Sequence, residues 1–247
     1  SSNAWAGFAQ TLKEETGLPL PSWNLWEDRR GVHTFTCATV VAGLRAAANF
    51  SLLFDDATLA AKYSTAANEI VTAMRKYLFS NELGRFYRGL LAAGDDSLTP
   101  DPTVDASLFG VFYFGCFGVH DPTVAGTMRA VIDTLEHKDG FGGVARFEND
   151  GYMRTSDGVA GNSWPICTLW LAEYYIAAAR SFDDLAPALA IIEWITHRAL
   201  PSGVLAEQID PVTGEPLSVS PLTWSHSTFV ATVNSYLSKL RSLTAMR

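Results

Sequence analysis

Apolar residues recur at helical spacing along most of the 247-residue chain. Residues 122–138 put Val124, Met128, Val131, Ile132 and Leu135 on one face, the pattern of an amphipathic helix. Asp121-Pro122 opens this segment as an N-cap followed by proline at the first helical position. Residues 184–198 repeat the pattern with Leu185, Leu189, Ile192 and Ile195, and residues 57–79 with Tyr63, Ala67, Ile70, Met74 and Leu78. Ser220-Pro221 caps a last helix running to about residue 244. Three stretches, 31–54, 103–117 and 162–181, are apolar or small nearly all round, which predicts helices wrapped on every side. With a segment at 4–16, the spacing predicts eight helices, inner and wrapped alternating with outer and amphipathic.

The connections alternate as well. Those after residues 54, 117 and 181 are short, whereas 16–31, 79–103, 138–162 and 198–221 are long. Long ordered connections in a compact domain usually carry function. If inner and outer helices alternate, all four emerge at one end, where a site is expected.

Composition narrows the chemistry. Hydrophobic residues are 48% and charged ones only 18%, so the chain is a globular protein rather than a disordered one. A formal charge of −8 without a basic block argues against nucleic acid as partner. No run of 18 uninterrupted apolar residues occurs, so no membrane partner is expected. Cys37, Cys116 and Cys167 are too few and too scattered for a disulfide framework and read as reduced core residues. With no basic-then-apolar leader pattern, they point to a cytoplasmic protein. The five histidines lack metal-ligand spacing, and neither a nucleophile elbow nor a phosphate loop is present. No cofactor and no metal is expected.

What remains sits in the long connections. The first packs Trp23, Trp26, Glu27, Asp28, Arg29 and Arg30 into eight residues. A carboxyl against tryptophan rings is partly desolvated, which suits a general acid; an Arg–Glu network closing the loop is the plainer alternative. The fourth runs Val204 to Ile209 in alternation and then turns at Asp-Pro-Val-Thr-Gly, a short hairpin with Glu207 set among apolar residues. The third holds Arg146, a donor fork for hydroxyls or carboxylates, or else a structural partner of Glu148 or Asp150. Two glutamates 180 positions apart in aromatic or apolar loops suggest the paired carboxyls of a glycosidase.

Several segments resemble one family. Pro21-Ser-Trp-Asn-Leu-Trp-Glu-Asp-Arg-Arg-Gly-Val-His-Thr-Phe-Thr36 is similar to the "DLWEE" segment of glycoside hydrolase family 15, the glucoamylase family, in its bacterial form. Gly143-Val-Ala-Arg-Phe-Glu148, Gly161-Asn-Ser-Trp-Pro165, Glu207-Gln-Ile-Asp210 and Pro221-Leu-Thr-Trp-Ser225 follow in the family's order. The resemblance implies an all-α fold, the (α/α)6 toroid, here as about eight of twelve helices: residues 1–247 form a single catalytic domain lacking its N-terminal helices. It implies Glu27 as general acid, Glu207 as general base and Asp28, Trp26, Arg146, Trp164 and Trp224 as substrate-binding residues. Asn24 stands where Asp is common, and Thr228 departs from the bacterial pattern, a change expected to affect packing only.

The implied activity is inverting release of glucose from the non-reducing ends of an α-glucan oligosaccharide, with the carboxyls about 6.5–9.5 Å apart to admit a water. Trehalose or dextran hydrolysis within the family is the alternative activity, and a non-catalytic carbohydrate-binding fragment the alternative of another class. The missing helices also lead to an expectation of self-association, or of an N-terminal part of the same protein as partner, because segments 31–54 and 222–244 would lose neighbours.

Overall fold

A computed structural model describes residues 16–92 and 98–245. Apart from Thr16, the predicted helix 4–16 lies outside the described residues. Among them are seven α-helices and a few short strands. They fall into two compact units: one takes the chain through Thr103 together with Gly110–Thr127, the other Val104–Phe109 together with the chain from Met128 onward.

In the first unit, strands β1 (Ser22–Trp23) and β2 (Arg30–His33) lead into α1 (Thr34–Leu53), which packs against α2 (Ala57–Tyr77) as a helical hairpin. The Asp56 side chain caps α2 by accepting the Leu59 N–H at 2.9 Å, satisfying an amide that the helix cannot. Strands β3 (Phe79–Ser80) and β4 (Arg85–Phe86) then form a small hairpin. β5 (Gly89–Ala92) and β6 (Leu98–Asp101) join β1 and β2 in an antiparallel sheet of order β1-β2-β5-β6. The first and second long connections are therefore one sheet, with His33 opposite Gly89 and Gly89 opposite Asp101. The helical pattern gave no sign of it.

The single helix expected at 103–117 is not formed. Val104 and Ala106 exchange backbone bonds with Glu148 and Arg146, so that stretch is spent before a helix can begin. A 3-10 turn at Ala106–Phe109 runs into α3 (Gly110–Tyr113), a single turn that ends ahead of Gly115 at φ +73°.

Asp121 caps α4 (Pro122–Leu135) as expected, its carboxylate accepting the Thr123 N–H at 2.9 Å. The second unit centres on α5 (Pro165–Ala178), flanked by α6 (Ala186–His197) and α7 (Thr223–Ala245). Strands β7 (Gln208–Ile209) and β8 (Pro216–Leu217) form the predicted hairpin between α6 and α7. The two all-apolar helices behave differently. α5 buries ten of its fourteen residues, as predicted. α1 buries Cys37, Ala38, Val41 and Ala48 but leaves Phe50, Leu52 and Leu53 exposed, with Phe54 beyond its end, so it is wrapped on one side only. By length and composition alone it is the one helix among the described residues that could cross a membrane.

Candidate active site

Glu27 sits at the tip of a turn in the first unit. Asn24 builds that turn. Its carbonyl accepts the Glu27 N–H at 3.1 Å and its N–H donates to the Arg29 carbonyl at 2.9 Å. Its side chain donates to Asp28 Oδ1 at 2.6 Å and accepts the Asp28 N–H at 3.1 Å. The turn holds Glu27 at φ +60°, left-handed backbone that costs a side-chain-bearing residue about 1 kcal/mol or more. Glu27 and Asp28 are exposed and Trp26 is half-buried, so among the described residues of this unit the tryptophans do not bury the Glu27 carboxyl as expected.

Glu207 is set differently. It is half-buried just before β7, in the second unit. The hydroxyl of Ser218, the residue just past the returning strand and itself at φ +63°, donates to Glu207 Oε2. Gln208 Nε2 donates to the same oxygen at 3.4 Å. Both bonds fall on Oε2. Gln208 is wholly buried, and its Oε1 accepts from Asn162 Nδ2 at 2.7 Å. Asn162 also donates to the Met153 carbonyl at 2.8 Å and accepts from the Thr155 hydroxyl at 3.1 Å. Ser163 and Ile209 exchange backbone bonds at 3.0 and 2.8 Å, so the third and fourth connections cross beside Glu207.

Arg146 lies in that crossing. Its fork is bidentate on Asp150, at 2.7 and 2.8 Å, which is the structural pairing left open above. Burial works against the guanidinium charge, but the Asp150 carboxylate overcomes it and holds Arg146 above its usual range. The guanidinium lies 4.6 Å from the Trp164 ring centre and 5.1 Å from that of Tyr152. Trp164 is 3% exposed, a wall beneath Arg146 rather than an open platform. Trp224 is 36% exposed and backed by Trp170, whose ring stacks on Phe109 at 4.5 Å.

The second unit thus brings Glu207, Arg146, Trp164 and Trp224 into one fold region, while Trp26, Glu27 and Asp28 share the turn of the first. Ser218, Gln208, Asn162 and Tyr152 were not singled out from the sequence. Gln208 and Asn162 lie inside quoted motifs, and the β7–β8 register marks Ser218. Among the described residues no group of three or more His, Cys, Asp or Glu could hold a metal ion.

The sequence profile of Glycosyl hydrolases family 15 matches residues 18–234. An uncharacterised glycosyl hydrolase of Methanocaldococcus jannaschii is 28% identical over 221 residues, covering 85% of this chain and 33% of that protein. A trehalase of Mycolicibacterium smegmatis is 26% identical over 228 residues, covering 90% and 30%. The chain spans about a third of the length of these relatives. In structure it is similar to a bacterial glucoamylase complexed with acarbose, with TM-score 0.75 and 22% identity over 96% of this chain and 39% of that one. The fold is that of the glucoamylase (α/α)6 toroid, of which this chain holds a part. Its order of motifs, its helices and the matched profile agree: the chain belongs to the glycosyl hydrolases of family 15.

Proposed function

We propose that this chain supplies the acid and the base of an inverting α-glucosidase that releases glucose from the non-reducing ends of α-glucans. Glu27 gives its proton to the glycosidic oxygen as the bond to the anomeric carbon breaks. Glu207 takes a proton from a water whose oxygen bonds to that carbon from the opposite face. The observation that carries the reading is the Glu207 carboxylate, held by two donors on Oε2. The turn that presents Glu27 in left-handed backbone supports it, since such conformations concentrate at functional sites. Asp28, Trp26, Arg146, Trp164 and Trp224 serve the sugar: Trp224 as an exposed ring, Arg146 and Trp164 as a rigid wall. The chemistry needs no metal or organic cofactor.

Trehalose hydrolysis is the second reading, favoured by the Mycolicibacterium smegmatis trehalase among the relatives. Release of glucose from maltotriose, isomaltotriose and trehalose, compared side by side, decides between them.

Carboxamide variants test the roles. Glu207→Gln keeps shape but cannot accept the proton, and the rate should fall roughly 10²–10⁴-fold with glucosides and with α-glucosyl fluoride alike. Glu27→Gln should fall by a similar factor with glucosides and far less with the fluoride, whose leaving group needs little protonation. Rescue of Glu207→Gln but not Glu27→Gln by the fluoride would exchange the roles.

A further inference from the structure

The second unit holds a cleft of about 340 Å³ that the proposed chemistry does not use, between the end of α4, α5 and α6. Its polar side chains are Glu136, His137, Thr168 and Tyr175, and no lysine or arginine lines it. Burial pushes the Glu136 carboxyl up, the His137 imidazole down and the Tyr175 hydroxyl up, the last helped by the charge of Glu136. Glu136 and Tyr175 bring hydrogen-bonding groups to the lining. Leu171, Ile191 and Trp194 add apolar surface to the lining. Trp194 is held firmly: its indole N–H donates to the Phe141 carbonyl, and the Arg198 guanidinium sits 5.3 Å from its ring centre.

Apolar and aromatic surface beside a few hydrogen-bonding groups suits a ring with a C–H face and hydroxyls. The cleft also adjoins the Glu207 support. A Cβ at Gly143 would lie 2.6 Å from Ser163 Cβ on one side and 3.0 Å from Trp194 Cη2 on the other, so only the bare glycine backbone separates the cleft wall from the strand crossing.

We propose that this cleft is a second saccharide site, taking one pyranose ring with its C–H face on the apolar side chains and its hydroxyls toward Glu136 and Tyr175. The choice of a sugar rests on the glycosidase reading above. The test is a titration of the isotope-labelled chain with D-glucose, followed by NMR. The Trp194 indole N–H and the Gly142 and Gly143 amides report the cleft; the Trp224 indole and the Gln208 side chain report the region of Glu207. Saturable millimolar shifts are expected in the cleft set. Ala190→Tyr, an exposed position on the cleft wall, should weaken them at least about tenfold, or about 1.4 kcal/mol, and leave the Trp224 set unchanged. A still cleft set, or shifts that survive Ala190→Tyr with unchanged affinity, would overturn the second site. If the Trp224 set moves while the cleft set does not, the cleft falls and the glycosidase reading stands. Movement of the cleft set alone keeps the cleft and counts against that reading, and no movement in either set defeats both.

Discussion

Each unit closes its functional loop with a buried asparagine, and the two work over different distances. Asn24 bonds to Asp28 and to the backbone of Glu27 and Arg29, all within five residues of itself. Asn162 ties Met153, Thr155 and, 46 positions on, Gln208. Glu27 is thus carried by a local turn whose tip is exposed, and Glu207 sits beside a network that joins residues 153 to 208. A local turn shapes one residue's backbone; a long-range network fixes a side chain from several directions.

The largest expected effect separates these two devices. Asn162→Ala removes partners from Gln208 and from the Met153 carbonyl in a fully buried place, and should cost roughly 2–5 kcal/mol of stability. Asn24→Ala, whose neighbours can turn to water, should cost about 1 kcal/mol. Urea unfolding of the two variants measures both, and equal losses would break the distinction.

Next comes Ser218. Its hydroxyl is a donor to a charged group, worth about 1.5–3 kcal/mol, so Ser218→Ala should slow turnover roughly 10–100-fold. KM should stay near its original value, because the hydroxyl holds the base and not the sugar. A rise in KM at constant kcat would place Ser218 on the substrate instead.

The same division explains what the sequence could show. α2, α4 and α6 are legible because one face of each repeats with the helical period, and the Asp121 cap and the Asp210–Gly214 turn because they are local. Asp210 accepts the Val212 and Thr213 N–H groups at 2.8 and 3.1 Å, as such a turn requires. The family motifs pointed to both glutamates. The sheet of the first unit was hidden because its strands are two to four residues long, lack alternation, and pair β2 with β5 across some sixty positions. Apolar composition predicted α5 correctly and overstated the wrapping of α1, since an all-round apolar helix says that cover is wanted, not that it is present. The run at 103–117 failed because its first residues are engaged with residues 146–148, a long-range competitor that no window sees. Ser218 became visible only with the β7–β8 register.

A smaller effect probes the acid's turn. At φ +60°, Glu27 pays for a conformation that glycine adopts freely. Glu27→Gly should be about 1 kcal/mol more stable than Glu27→Ala, since neither keeps the carboxyl and only the backbone preference differs. Thermal unfolding of the pair reads this directly; an alanine variant at least as stable as the glycine one would mean that the turn relaxes when the side chain is lost.

The last comparison is between two buried titratable groups, His33 in the first unit and Glu173 in the second. Burial lowers the His33 pKa from 6.5, outweighing the Arg29 and Ser22 backbone groups that favour its charged form. As the pH falls below 6.5 the unfolded chain takes up a proton that folded His33 refuses, so its contribution to stability is present above that value and is lost on acidification. Burial raises the Glu173 pKa from 4.5, outweighing the influence of the nearby Thr232 and Ser235 hydroxyls, which favour the charged form. As the pH rises above 4.5 the unfolded carboxyl ionises first, so its contribution is present below that value and is lost on the way to neutrality. Glu173→Gln should therefore stabilise the chain at pH 7 relative to its effect at pH 4. His33→Gln should flatten the loss of stability between pH 7 and pH 5, whatever it costs overall. Unfolding free energies of both variants at three pH values test the signs. A Glu173→Gln effect that is the same at pH 4 and pH 7 would show that α7 yields enough to let the carboxylate reach water.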